Sequence, residues 1–441
     1  MTTDCTKCIY FELEGVEGVC NRFGKVIEEG GSGIIISSQS GHRLGALSQE
    51  DNELLEVKIG ICYELLNEFN NALEHYKKSY KLNKEFPASI FHIGAIYDRQ
   101  NDPDALKWFE LAYEKEKENA QYLRKYGDIL VRTNDNDSVE KGILILERGL
   151  EFFTGNVDIM SSLAIGYEKK GKLKDAIHLL ELASNKESFL NNKSKVFQLA
   201  CYNEKAKNFT KAVEQFKRVL YLEKNNTEAL LHIGFIYKSC KEYVKAFKCF
   251  NRIIENEPRN PHAYYGLGKL YQSMNDKDDE AFENYNKCVE INPNYLKALI
   301  QLGVLFLKHN NFDKSLEVLE RVYKLDKNIP LCLTCLGNIY MEKKEFEKAE
   351  EFLLKSFKLD KKNIATNSAL ADVYFAREKY DDAIQKYLFA IKLGGKLPEI
   401  YLNLGHCYYI KDKYELSINN YMSALKLVKN TRHEYYYYLG N

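Results

Sequence analysis

LLHIGFIYKSCKEYVKAFKCFNRIIENEP, residues 230–258, holds the unit from which the rest of the chain is read. Its first half places Gly234 among apolar residues, with Tyr237 three positions on. Its second half places Ala246 twelve positions after that glycine and Phe250 four further. Intervals of three and four line up side chains on one face of a helix, one per turn. A short polar break separates the halves of each unit, as in EKKGKLKD at 168–175, and leaves room only for an antiparallel helix pair.

The unit recurs along the chain. A small residue returns at Gly60, Gly94, Gly127, Ala164, Ala200, Gly234, Gly268, Gly303, Gly337, Ala371, Gly405 and Gly440, at spacings from 33 to 37. An aromatic follows three positions later at Tyr63, Tyr97, Tyr167, Tyr237, Tyr271, Phe306, Tyr340, Tyr374 and Tyr408. The second small slot holds Ala72, Ala176, Ala212, Ala246, Ala281, Ala349 and Ala383, or Ser315 and Ser417. Four positions beyond stands a large residue such as Tyr76, Phe216, Tyr285, Leu353 or Tyr421. A period in this range is the signature of a solenoid of stacked hairpins, none able to bury its apolar face alone.

A glycine inside a helix costs roughly 1 kcal/mol against alanine. Close approach of the paired helices is expected to offset it, with the partner's alanine nested against the bare backbone and the aromatics filling the space between pairs. The prolines give an independent check. Pro87, Pro261, Pro330 and Pro398 each stand seven positions before a small residue, where a first helix should open. Pro258 and Pro293 follow second helices, and Pro103 sits in a break.

This pattern resembles the tetratricopeptide repeat (TPR) family, most closely in residues 230–258 and in AYYGLGKLYQSMNDKDDEAFENYNKCVEINP at 263–293. The resemblance covers residues 53–441, as eleven repeats and the start of a twelfth. It implies an all-α fold, a right-handed solenoid of antiparallel helix pairs whose first helices line a concave groove. It also implies a non-enzymatic scaffold that binds a peptide or helix of another protein, as a subunit of a multiprotein complex. The closing repeats, 362–425, are similar to the TPR subunit of the polymerase-associated elongation complex. Ciliary-transport and ubiquitin-ligase subunits share the same consensus.

Composition narrows the function further. Lys plus Arg and Asp plus Glu are both 63, so no net field favours nucleic acid or membrane. No apolar run has the length of a membrane span. The opening MTTDCTKCIYFELEG lacks the features of a secretory signal. Eleven scattered cysteines point to reduced thiols in an intracellular compartment, the cytoplasm ahead of the nucleus.

Several stretches depart from the period. NDNDS at 134–138 is an insertion in the third repeat, SNKESFLNNKSK at 184–195 is a long connection after the fourth, and NDKDDE at 275–280 adds a residue to the seventh. All are expected to be loops, with a hinge near residue 190 as the alternative for the second. Residues 1–50 form an irregular leader. Within it, GSGIIISSQSGHRLGALSQED (31–51) resembles the middle of the short-chain dehydrogenase family, in which Ser37 or Ser38 would help bind a substrate carbonyl. The family's Gly-rich loop and Tyr-x-x-x-Lys are missing, and fifty residues cannot build its dinucleotide-binding domain. A remnant without activity is expected; an oxidoreductase would require a fuller domain. The last helix, HEYYYYLGN, breaks off inside a new repeat. That suggests a fragment or truncated gene model ahead of a terminal helix that docks on a partner.

No cofactor, metal or catalytic site is expected. Cys5-x-x-Cys8 has the spacing of half a zinc knuckle, and Cys20 and His42 could complete four ligands, but nothing else in the segment has the paired spacing of a zinc module. Cys332 and Cys335 fall on a first helix and are read as packing. The remaining site is the groove. Positions three before and one after the small residue should project into it: Phe91, Arg124, Asp128, Phe197, Phe235, Tyr265, Lys269, Asn338, Asp372, Leu402 and His406. Mixed aromatic and polar side chains suit a peptide held by a few anchors. The family's chaperone-tail clamp needs a Lys/Asn, Asn, Lys/Arg set that no consecutive repeats supply. The asparagine ladder of its glycosyltransferase type reduces here to Asn403.

Overall fold

The computed structural model describes residues 49–427 apart from Asn275. Among these residues lie 23 helices and no strand. The chain divides into two compact units at Gln215 and Phe216. The first contains the pairs α1/α2 (Gln49–Leu65, Phe69–Leu82) and α3/α4 (Pro87–Arg99, Ala105–Lys115). It continues with α5/α6 (Ala120–Arg132, Asn136–Phe152), α7/α8 (Val157–Lys169, Leu173–Ala183), the short α9 (Glu187–Leu190) and α10 (Lys193–Lys205). The division falls within α11 (Phe209–Leu222). The second unit contains α12/α13 (Thr227–Ser239, Tyr243–Asn256), α14/α15 (Pro261–Tyr271, Asp278–Ile291) and α16/α17 (Leu296–Lys308, Phe312–Leu325). It closes with α18/α19 (Pro330–Glu342, Phe346–Leu359), α20/α21 (Ile364–Ala376, Tyr380–Lys392) and α22/α23 (Pro398–Ile410, Tyr414–Leu427).

Most first helices open in one of two ways. Four begin with the prolines read from sequence, Pro87, Pro261, Pro330 and Pro398, whose missing N–H falls where a helix has no intrahelical partner for it. Others open behind a capping asparagine. Asn156 accepts from the Asp158 amide at 3.0 Å, Asn226 from Ala229 at 2.9 Å and Asn363 from Thr366 at 3.0 Å. The richness in asparagine, which looks like compositional bias in the sequence, thus has a local structural use.

The turn inside the pairs other than α5/α6 is equally regular. A residue with φ near +60° stands seven or eight positions after the small residue at Asn67, Asn101, Lys207, Lys241, Asp276, Asn310, Lys344, Glu378 and Asp412, while Gly171 fills the slot in the fourth repeat. The next amide reaches back to the carbonyl of the aromatic: Glu68 to Tyr63, Glu242 to Tyr237 and Glu345 to Tyr340, each at 2.8 Å. This left-handed close stops the first helix and reverses the chain. A lysine or glutamate pays a steric penalty in that conformation that glycine avoids.

The glycines act in a way that corrects the sequence reading in part. Ser315 and Ser417, standing in the alanine slot, donate to the carbonyls of Gly303 and Gly405 at 2.7 and 2.9 Å. The second small slot therefore does lie against the first helix's backbone. The volume freed by the missing Cβ, however, is taken by the large residue four positions later. A Cβ on Gly337 would lie 2.5 Å from Cγ of Leu353, and one on Gly268 would lie 2.5 Å from the Tyr285 ring. Phe250 is held from two sides, since a Cβ on Gly234 or on Gly266 of the next repeat would meet its ring at 2.7 or 2.5 Å. One apolar cluster accordingly joins Leu230, Ala246, Phe250 and Ile253 to Ala263, Leu267 and Leu270 of the following pair. Between pairs the aromatics meet edge-on, Phe247 with Tyr271 at 6.3 Å and Phe282 with Phe306 at 5.2 Å.

Two of the irregular segments are more ordered than their composition suggests. Most of NDNDS is the start of α6, which runs to 17 residues behind an Asp135 cap. The insertion is spent on extra helix at the opening of α6. The connection 184–195 contains α9, whose Phe189 is buried. The leader motifs Cys5, Cys8, Cys20, Ser37, Ser38 and His42, and the terminal HEYYYYLGN, lie outside the described residues.

Gly60→Ala would drive a Cβ to 2.4 Å from the Tyr76 ring, which is fully buried, whereas Gly94→Ala meets nothing nearer than 3.1 Å. Gly60→Ala should destabilise by about 1–3 kcal/mol, and Gly94→Ala should destabilise less, its milder contact set against a helix-propensity gain of up to about 1 kcal/mol. Urea midpoints in the reverse order would refute this packing. At the exposed turn residue Lys344, substitution by glycine should raise the unfolding free energy by up to about 1 kcal/mol, and a lowered urea midpoint would contradict the strain.

Candidate functional site

The first helices of each unit present a shared face, and side chains one past and two before the small residue join them. In the first unit, Ser162 on α7 donates to Oδ1 of Asp128 on α5 at 2.9 Å. In the second, Lys269 on α14 donates to Gln301 on α16 at 3.4 Å, and Asn403 on α22 donates to Asp372 on α20 at 3.0 Å. Sequence reading names Asp128, Lys269 and Asp372 as groove residues but misses their partners Ser162, Gln301 and Asn403. The usable signal is a polar residue one past a small slot, followed in the next repeat by another two before it.

In the first unit, Phe91 is partly buried and packs against Phe109 and Tyr122, with centroids at 5.6 and 4.8 Å. Arg124 and Phe197 are partly buried. Asp128 is buried, its second oxygen paired with Arg132 at 2.7 Å, so its polar capacity is used within the unit.

In the second unit, Phe235 and Tyr265 belong to a row. Phe235 meets Tyr265 at 6.4 Å, and Tyr265 meets Tyr295 at 5.4 Å. Gly266 makes this row possible. It occupies the position that bridges first helices elsewhere, and its missing side chain lets α14 close onto Phe250, against which Phe235 packs at 5.3 Å. Lys269 is partly buried and also donates to Gln272 at 3.2 Å; burial draws its ammonium below the usual lysine range, and Lys238 pushes the same way. Asn338 is exposed and Leu402 partly buried. Asp372 accepts from the Tyr387 hydroxyl as well as from Asn403. Burial lifts its carboxyl above the ordinary range, against the opposing pull of those two donors. His406 lies edge-on to Tyr421 at 5.5 Å, and burial lowers its imidazole.

Cys332 and Cys335 are core residues. Both are buried, Cys332 donates weakly to the Leu319 carbonyl at 3.4 Å, and burial pushes the thiols up to about 12 and about 11. Among the described residues no cluster of His, Cys, Asp or Glu is arranged to hold a metal, and no helix is long and apolar enough to cross a membrane.

A tetratricopeptide-repeat family model matches residues 261–295, 335–363 and 398–430, and a second TPR model matches 371–411. The chain carries tetratricopeptide repeats. Its fold is similar to Cut9 in the APC/C hetero-tetramer Cut9–Hcn1, with TM-score 0.50, 15% identity, and 89% of this chain and 84% of that chain covered. Yeast Tom70 aligns with TM-score 0.42 and 16% identity over 89% and 95% of the two chains. PilF of Pseudomonas aeruginosa aligns with TM-score 0.44 and 17% identity over 48% and 96%. At these identities the likeness concerns fold alone. No curated protein sequence matches the chain.

Asp372 offers a test of the electrostatics of this TPR face. The folded carboxyl titrates above its unfolded value of about 3.9, so the unfolded state ionises first and stability from this group is lost as pH rises through that interval. Asp372→Asn keeps an oxygen for both donors. It should be at least as stable as wild type at neutral pH, with the difference shrinking as pH is lowered toward about 4. A difference in unfolding midpoint that does not move with pH would contradict the assignment.

Proposed function

We propose that the first-helix face of the second unit holds an extended peptide or a helix of a partner protein, and that the chain serves as a non-enzymatic subunit of a multiprotein assembly. The row Phe235–Tyr265–Tyr295 carries this reading. Partly buried aromatics on rigid helices give large contact area at little entropic cost, the usual make-up of an interface anchor. Lys269 on α14 and Asn338, Asp372 and His406 on the later first helices α18, α20 and α22 supply polar groups, as suits recognition by a few anchors and side-chain hydrogen bonds. The likeness of the closing repeats to TPR subunits of elongation, ciliary-transport and ubiquitin-ligase assemblies points to the same kind of role.

Affinity capture with the full chain, repeated with Phe235→Ala and Tyr265→Ala, tests it. Partner recovery should fall about tenfold or more for the double variant, the loss expected when interface anchors are truncated, while its helical circular dichroism stays unchanged. Undiminished recovery of the same partners would refute binding through these residues.

A further inference from the structure

The step from α12 to α14 sets two lysines near one another. Lys269 stands one position past the small residue on α14, partly buried, and its ammonium reaches only the neutral oxygens of Gln272 and Gln301, at 3.2 and 3.4 Å. Lys238, partly buried on the preceding first helix, acts repulsively on it. Neither lysine has a carboxylate partner among the described contacts. Several other first-helix cations do meet a carboxylate. Lys125 meets Asp98 at 3.1 Å, Arg132 meets Asp128 at 2.7 Å, Lys205 meets Glu168 at 2.5 Å and Lys308 meets Asp278 at 2.5 Å.

Bringing two ammonium groups toward one another on a partly desolvated surface opposes folding, and a carboxylate placed near them would relieve it. The aromatics Phe235 and Tyr265 stand on the same two helices. We infer that this step is a subsite for an acidic segment of a partner protein, an Asp or Glu side chain meeting Lys238 and Lys269 while a neighbouring apolar residue packs on the Phe235–Tyr265 row. This deepens the partner-binding reading above and depends on it. A protein ligand fits better than a nucleic acid: two lysines make no basic stripe along a phosphate backbone, the chain has no net charge, and the same face carries Asp372.

The test is selection of a displayed random-peptide library on the full chain, followed by titration of a synthetic selected peptide. Selected peptides should be enriched in Asp or Glu beside an aromatic or aliphatic residue. Lys238→Gln with Lys269→Gln should weaken binding about tenfold and flatten its salt dependence. Changing the peptide's acids to their amides should cost a similar factor in wild type and little in the double variant. Circular dichroism and urea midpoints establish that the variants remain folded. Peptides without acids that are lost on Phe235→Ala would overturn the charged subsite and leave groove binding standing. Acidic peptides indifferent to both lysine variants would also overturn it. If oligothymidylate displaced the peptide in a lysine-dependent manner and bound more tightly, the ligand class would be wrong. Failure to select any peptide would count against both readings.

Discussion

In the glycine-bearing repeats a large side chain of the second helix lies where a first-helix Cβ would stand, and on this contact the packing of those pairs depends. Leu353 over Gly337 and Tyr285 over Gly268 show it within a repeat. Phe250, gripped by Gly234 and Gly266, shows it reaching the next repeat as well. Since the grip on Phe250 is completed by Gly266 of the following pair, a hairpin removed from its neighbour would lose the cover on one side of that ring. Nearest-neighbour dependence of this kind explains how a chain can extend by adding pairs without enlarging any single core.

Hairpin closure places a second constraint on the same residues. Outside the third repeat, the left-handed residue at the turn directs the second helix back along the first, and the amide after it bonds to the carbonyl of the aromatic that also packs between pairs. One residue per repeat, Tyr237 or Tyr340 for example, thus joins turn geometry to inter-repeat packing. In the third repeat the turn is built differently: Thr133 is extended and Asp135 caps a longer α6, so no left-handed residue is needed there. The slot carries lysine or glutamate in several repeats because the bond to the aromatic carbonyl and the antiparallel packing around it over-determine the backbone.

The parts of this architecture that were legible in sequence are those enforced by volume. No other residue fits at Gly268 or Gly337 without moving a ring or a leucine, so these positions recur visibly, as do the prolines that open α3, α14, α18 and α22. What escaped was fixed by conformation or by pairing. The left-handed slot reads as glycine only at Gly171 and is hidden elsewhere behind Lys207, Lys241 or Glu378. The bridges Asp128–Ser162 and Asp372–Asn403 join polar residues whose types vary from repeat to repeat, so no consensus marks them. The long connection at 184–195 reads as a polar loop because a single buried Phe189 holds it.

The candidate site follows from the same rules. Where first helices are tied by a polar bridge, as Asn403 ties to Asp372, side chains on the shared face are already satisfied, and a ligand must compete for them. At the α12–α14 step the bridging position is Gly266, so helix approach is secured by Phe250 from below rather than by a side chain on the face. Phe235, Tyr265 and Lys238 are thereby released from holding the helices together through a polar bridge, and Lys269 has only neutral acceptors. A surface whose cohesion is supplied from beneath can leave its exposed chemistry uncompensated. That is the physical reason this step, rather than the better-paired ones, is the place to look for a partner.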